Sequence, residues 1–119
     1  KKITLPIVSS NEQNKHEPLR DMIAVQDVCT VITWFMNHWP ASGIYNLGTG
    51  YPRPMSAIAK IITAQLKIEI PISFSSEINA LFKNYLSDNQ ANIRKLRNQG
   101  YKKSFYSLEQ GIKKMLRRG

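Results

Sequence analysis

Apolar and polar positions divide the chain into alternating extended and helical stretches. KITLPIV (2–8) alternates as a strand does, and Pro6, with no amide proton for a ladder, confines it to an edge or a loop entry. The polar SSNEQNKHEP (9–18) has no apolar periodicity and is expected as an exposed loop. LRDMIAV (19–25) reads as a short extended segment, after which Asp27 is placed to cap a helix through VCTVITWFMNHW (28–39). Val28, Val31, Ile32, Phe35 and Trp39 are spaced to line one side of it, and Pro40 and Gly43 end it. GIYNL (43–47) is an apolar run of the buried-strand type, and GTGYPRP (48–54) a turn rich in glycine and proline.

Pro54 suits the start of a helix whose stripe is Ile58, Ile61, Ile62 and Leu66. IEIPISF (68–74) alternates Ile68, Ile70, Ile72 and Phe74 as a half-buried strand, at an edge because of Pro71. SSEINALFKNYLSD (75–88) fits a short helix or a loop equally. NQANIRKLRNQGY (89–101) predicts a short helix capped by Asn92 and stopped at Gly100. In the last helix Ser107 and Gln110 form a capping-box pair, and the closing cations suit the negative end of its dipole.

A length of 119 residues fits one domain or one piece of a larger one, and a first residue of Lys rather than Met is expected of a chain cut from something longer. The hydrophobic share of 42% places the chain among globular proteins, and no apolar run approaches the ~20 residues of a membrane helix. A soluble, cytoplasmic protein is therefore expected. The lone Cys29 has no partner for an internal disulfide, which is compatible with a reducing compartment. The formal charge of +9 favours an anionic partner: a phosphorylated small molecule, a nucleic acid or a lipid surface. Nine of the seventeen cations lie between Arg94 and Arg118, on two helices whose solvated faces account for them. Lys113, Lys114, Arg117 and Arg118 make like-charged pairs four residues apart and keep a basic nucleic-acid-binding module as the rival reading.

Candidate chemistry is sparse. GTG lacks the third glycine of a dinucleotide fingerprint, and no Walker loop is present. His16 and His38 have no Cys or carboxylate at metal-ligand spacing and are expected at the surface. Cys29 falls in an apolar helical pattern without a nearby cation, as a buried inert thiol would. No serine sits in an elbow motif, so the residues alone give no catalyst. Arg20 either pairs with a local carboxylate such as Asp21 or points its five-donor fork at a phosphate, and composition favours the pair. Tyr85, beside Lys83 and Asn84, reads as packing.

Three stretches resemble the C-terminal part of extended short-chain dehydrogenase/reductases that act on nucleotide sugars: RDMIAVQDV (20–28), GIYNLGTG (43–50) and NIRKLRNQGYKKSFYSLEQGIKK (92–114). Met22, Ala24, Gln26 and Asn92 depart from the family's usual residues. The resemblance, which covers Arg20 to the C-terminus, implies an α/β fold of mixed helices and short strands, the substrate-binding portion of an NAD(P)-binding Rossmann-fold enzyme. It divides the chain into an extended segment and loop (1–20), a strand-helix-strand returning to the Rossmann sheet (21–50) and substrate-binding and closing helices (51–119). The cofactor domain, with its glycine motif and Tyr-x-x-x-Lys pair, belongs to an N-terminal region absent from this sequence, where NADP or NAD would bind. By the same resemblance Arg20 contacts the substrate diphosphate and Tyr85 the substrate. The loop of Glu12, Gln13, Asn14 and Lys15 takes the place of a substrate-contacting loop. The implied activity is an isomerase's, epimerisation of a nucleotide-diphosphate sugar with ADP-heptose the first candidate. The rest of its own chain and a homo-oligomer are the other implied partners. GTG would be scaffold rather than ligand grip.

Overall fold

The computed structural model describes residues 1–9, 15–76 and 88–118. They form two compact units, one of residues 1–20 and 52–89, the other of 21–51 and 90–119. The chain passes between them at the Arg20–Asp21, Tyr51–Pro52 and Asn89–Gln90 bonds.

Among the described residues, the first unit holds all the ladders. Strand β1 (Ile3–Pro6) pairs in parallel with β6 (Ile72–Ser75), Ile3 opposite Ile72, and the Ile3 amide bonds the Pro71 carbonyl just before β6. Neither proline interrupts this ladder, since Pro6 closes β1 and Pro71 precedes β6. Ile68 and Ile70 fall outside β6, and Phe74 points outward. Strands β2 (Val8–Ser9) and β3 (Lys15–His16) pair antiparallel, as do β4 (Leu19–Arg20) and β5 (Arg53–Pro54). The exposed loop expected over 9–18 is therefore corrected where it is described: its ends pair, and Pro18 is fully buried.

Helix α2 (Met55–Leu66) follows β5 directly, with Pro54 as its extended flanking residue. Its N-terminus is capped from outside, because the Ser56 amide and hydroxyl donate to the two carboxylate oxygens of Glu17 at 3.0 and 2.9 Å. A carboxylate there also complements the helix dipole. The deepest positions are Ser56, Ala57 and Ala59 rather than the expected isoleucine stripe. Small side chains allow the closest approach, so the isoleucines are only half-buried.

The second unit is built on helix α1 (Val25–His38), which starts three residues earlier than a cap at Asp27 requires. Ala24 flanks it without a side-chain bond, and Asp27, buried in the first turn, accepts the Tyr106 amide at 2.8 Å. The inner face carries Val31, Trp34 and Phe35, packed with Tyr45, Leu47, Leu96, Tyr101 and Phe105. Edge-to-face contacts of Trp34 with Phe35 and Tyr101, and of Phe35 with Tyr45, fix the rotation of α1. Ile32 and Trp39 are thereby turned outward, Trp39 being 85% exposed, and Cys29 is exposed rather than buried.

Residues 44–47 alternate as a strand should, Tyr45 and Leu47 inward and Ile44 88% exposed, but pair with no strand among the described residues. Helix α3 (Arg94–Asn98) takes a bond from the Arg94 amide to Asn92 Oδ1 and ends at Gly100, whose φ of 110° suits glycine. Helix α4 (Leu108–Arg118) opens on the expected capping box: the Gln110 amide donates to Ser107 Oγ, and the Ser107 amide to Gln110 Oε1.

Candidate functional site

The GTG turn has an internal ligand. One oxygen of Asp21 accepts the Thr49 amide at 2.8 Å and the Thr49 hydroxyl at 2.6 Å. The other accepts the Gly50 amide at 2.8 Å and the Ala91 amide at 2.9 Å. Burial raises the carboxyl pKa, but the hydrogen bonds from Thr49, Ala91 and Gly50 outweigh it and hold the group below its ordinary 3.8. Gly48 is dictated by space rather than by φ: a Cβ there would lie 2.6 Å from the Ala91 Cβ and 2.7 Å from Asp21 Oδ2. The loop that returns at Gln90 and Ala91 is tied to the same turn, Gln90 Nε2 donating to the Gly50 carbonyl at 2.8 Å. The amides that could have cradled a phosphate are thus committed to a carboxylate of the chain itself.

Arg20 lies in the first unit, half-buried on β4, with Arg53 directly opposite on β5. Around this ladder the Leu19 amide donates to Asp88 Oδ1 at 2.8 Å, Asp88 Oδ2 lies 3.6 Å from His16 Nε2, and the Asn89 amide bonds the Leu19 carbonyl. Sequence reasoning passed over Arg53, placing it in a turn. Its signal was there: a cation held extended by the proline after it. Tyr85, Glu12, Gln13 and Asn14 lie outside the described residues, and of Lys15 only the backbone is described, in β3 opposite Ser9.

The described residues offer no cradle for a nicotinamide cofactor. The GTG amides are occupied by Asp21, and no other glycine turn opens a helix of the second unit. A surface cleft of about 520 Å³ runs along α1 beside Thr30, Thr33, Trp34, His38 and Lys102. Its polar groups are partly spent, since both threonine hydroxyls and the His38 ring bond carbonyls one turn back. Several of the C-terminal cations are spent as well. Lys95 donates to the Ile44 carbonyl and lies over the Tyr45 ring. Arg97 Nη1 donates to the Tyr101 and Lys103 carbonyls at 2.9 and 2.7 Å, with its guanidinium over the Phe105 ring. Lys114 sits over Tyr106. No described helix is long and apolar enough to cross a membrane.

No family model matches the chain. Among solved structures it is similar to a GDP-mannoheptose C4 reductase from Campylobacter jejuni with NADP bound, at a TM-score of 0.68 and 18% sequence identity. The match covers 97% of this chain and 34% of the reductase, so the chain spans about a third of that enzyme's length. The likeness is one of fold, and it bears out the class expected from the sequence: mixed α/β, helices with short strands.

Proposed function

We propose that this chain is the substrate-binding portion of an NADP-dependent nucleotide-sugar epimerase, ADP-L-glycero-D-manno-heptose 6-epimerase being the closest reading. Arg20 grips the substrate diphosphate in this reading. The observation that carries it is the likeness in fold, over 97% of this chain, to a reductase of a GDP-linked heptose.

The likeness in fold to a reductase of a GDP-linked heptose supports the same class of substrate, a sugar on a nucleoside diphosphate. NADP and the catalytic residues would belong to sequence outside this chain, in keeping with the occupied GTG turn. The surface of the second unit supports that division. Val25, Ile32 and Met36 form an exposed apolar stripe on α1, Met36 being 69% exposed, and Ile44, 88% exposed, stands on an extended segment that pairs with no strand among the described residues. A parallel sheet supplied by the rest of the protein would cover both. The nucleic-acid reading is weaker, because Lys95, Arg97 and Lys114 already serve carbonyls and rings of the chain.

The test is made in the full-length protein. Losing a hydrogen bond to a charged group costs about 1.5–3 kcal/mol, so Arg20→Ala should weaken nucleotide-sugar binding roughly ten- to a hundredfold by calorimetry. Unchanged affinity would return Arg20 to a structural role. Incubation with ADP-heptose, followed by NMR at C6 of the sugar, tests the epimerase assignment. Inertness towards ADP-heptose with turnover of a GDP-linked sugar would replace it.

A further inference from the structure

The cleft of about 520 Å³ in the second unit is lined by α1 on one side and by residues 100–103 on the other. Its volume falls within the roughly 300–1,000 Å³ usual for small-molecule sites. The α1 wall includes the Trp34 ring, with the His38 imidazole stacked on it at 4.9 Å between ring centroids. The other wall is braced by Arg97. Its Nη1 donates to the Tyr101 and Lys103 carbonyls, just after Gly100 turns the chain at a φ of 110°.

The formal charge of the lining has one sign. Lys102 and Lys103 both line the cleft, and no Asp or Glu does. Asn37 adds an amide donor beside them, and His38 donates through Nδ1 to the Trp34 carbonyl, which leaves Nε2 for a ligand. Two negative influences oppose the lysines. The C-terminal end of α1 is equivalent to about half a negative charge, against two full positive ones. The Asp27 carboxylate, whose charge acts on Tyr101, is buried in the first turn of α1 and holds the Tyr106 amide. It lies about 16 Å from His38 along the helix. An aromatic wall with two cations at one end matches a ligand that is apolar over its body and anionic at its tip. Lysine serves phosphate well in this role, as a point charge with three donors.

We propose that this cleft binds a small organic phosphate, with the phosphoryl group held by Lys102, Lys103 and the Asn37–His38 end of α1 and the apolar body against Trp34. The site lies wholly within the second unit and does not depend on the reading of Arg20 given above.

Cys29 supplies the readout, because it lines the cleft and is exposed. In the full-length protein its alkylation by iodoacetamide is followed at its own peptide by mass spectrometry, with phenyl phosphate, inorganic phosphate, phenol and benzoate as probes. Phenyl phosphate should slow the alkylation saturably, at a lower half-protecting concentration than any of the other three. In Lys102→Gln/Lys103→Gln that concentration should rise about tenfold. Comparing it with and without ligand in each variant cancels any change in the thiol's own reactivity. Lys113→Gln/Arg117→Gln removes the same charge from exposed positions of α4 outside the cleft and should leave the concentration within about twofold of wild type. An equal rise in both double variants would mean general attraction of anions and overturns the site. Phenol protecting as well as phenyl phosphate overturns the cation grip, and benzoate doing so overturns the choice of phosphate. Absence of protection by phenyl phosphate, or a Cys29 that resists alkylation without any ligand, overturns the proposal outright.

Discussion

Replacing Asp21 by Asn tests whether the carboxylate organises the GTG turn. Asn is nearly isosteric, but one acceptor oxygen becomes an NH2 group. If the remaining oxygen faces Thr49, the NH2 faces the Gly50 and Ala91 amides, two donors that then meet a donor. Each lost bond to a charged acceptor is worth about 1.5–3 kcal/mol, and water reaches this half-buried site, so two bonds at the lower bound give about 3 kcal/mol. Amide hydrogen exchange reads this locally. The protection of Gly50 and Ala91 should fall roughly a hundredfold if opening of this turn governs their exchange. The opposite amide orientation moves the loss to Thr49. Refutation would be acceleration below about threefold at all three amides, the range of an ordinary surface substitution. A pH signature accompanies it. Because the folded pKa of Asp21 lies below its unfolded value, the unfolded state binds the proton first as pH falls. The stabilisation is complete above about pH 4 and disappears as pH falls through the lowered value, and Asp21→Asn should lack that part of the acid dependence.

Gly48→Ala places a methyl against Ala91 and Asp21 and should destabilise the second unit by about 1–3 kcal/mol, measured as a lower denaturation midpoint; a neutral result would show that the turn and the 90–91 loop separate freely. Burial raises the Tyr101 pKa, the Asp27 charge raises it further, and Arg97 opposes them only in part. In an absorbance titration of the phenols, Tyr101 should therefore ionise above the ordinary tyrosine range, which Tyr101→Phe would remove from the curve. Its contribution to stability is present below about pH 10 and is lost as pH rises through the raised value. Ser107→Ala removes the acceptor of the Gln110 amide and should cost about 1 kcal/mol by denaturation, whereas an unchanged midpoint would mean that water replaces the box.

Local features were legible in the sequence wherever a residue's own chemistry decides its neighbours' geometry. Ser107 and Gln110 make their reciprocal bonds within four residues, and Gly100 supplies the positive φ that ends α3. The α1 helix was legible from its periodicity, but its rotation was not. Aromatic contacts to Tyr45 and Tyr101, remote in sequence, turn Trp34 inward and leave Ile32, Cys29 and Trp39 outside. Asp27 looked like a cap because capping is the commonest local use of an aspartate there. Its partner is an amide 79 positions away.

The candidate site divides the same way. Arg20 could be singled out because a five-donor fork beside a polar stretch is informative by itself, and a diphosphate ligand for it was an expectation from family resemblance. Neither the face-to-face register with Arg53 nor the four donors on Asp21 can be read from one sequence. Each joins segments tens of residues apart, and a chain specifies such meetings only through its packing as a whole. What the sequence determined by itself was composition, charge, helix limits set by glycine and capping pairs, and the α/β class. Tertiary structure alone decided which carboxylates are spent inside the fold and which cations are set together, because both depend on distances that sequence separation does not encode.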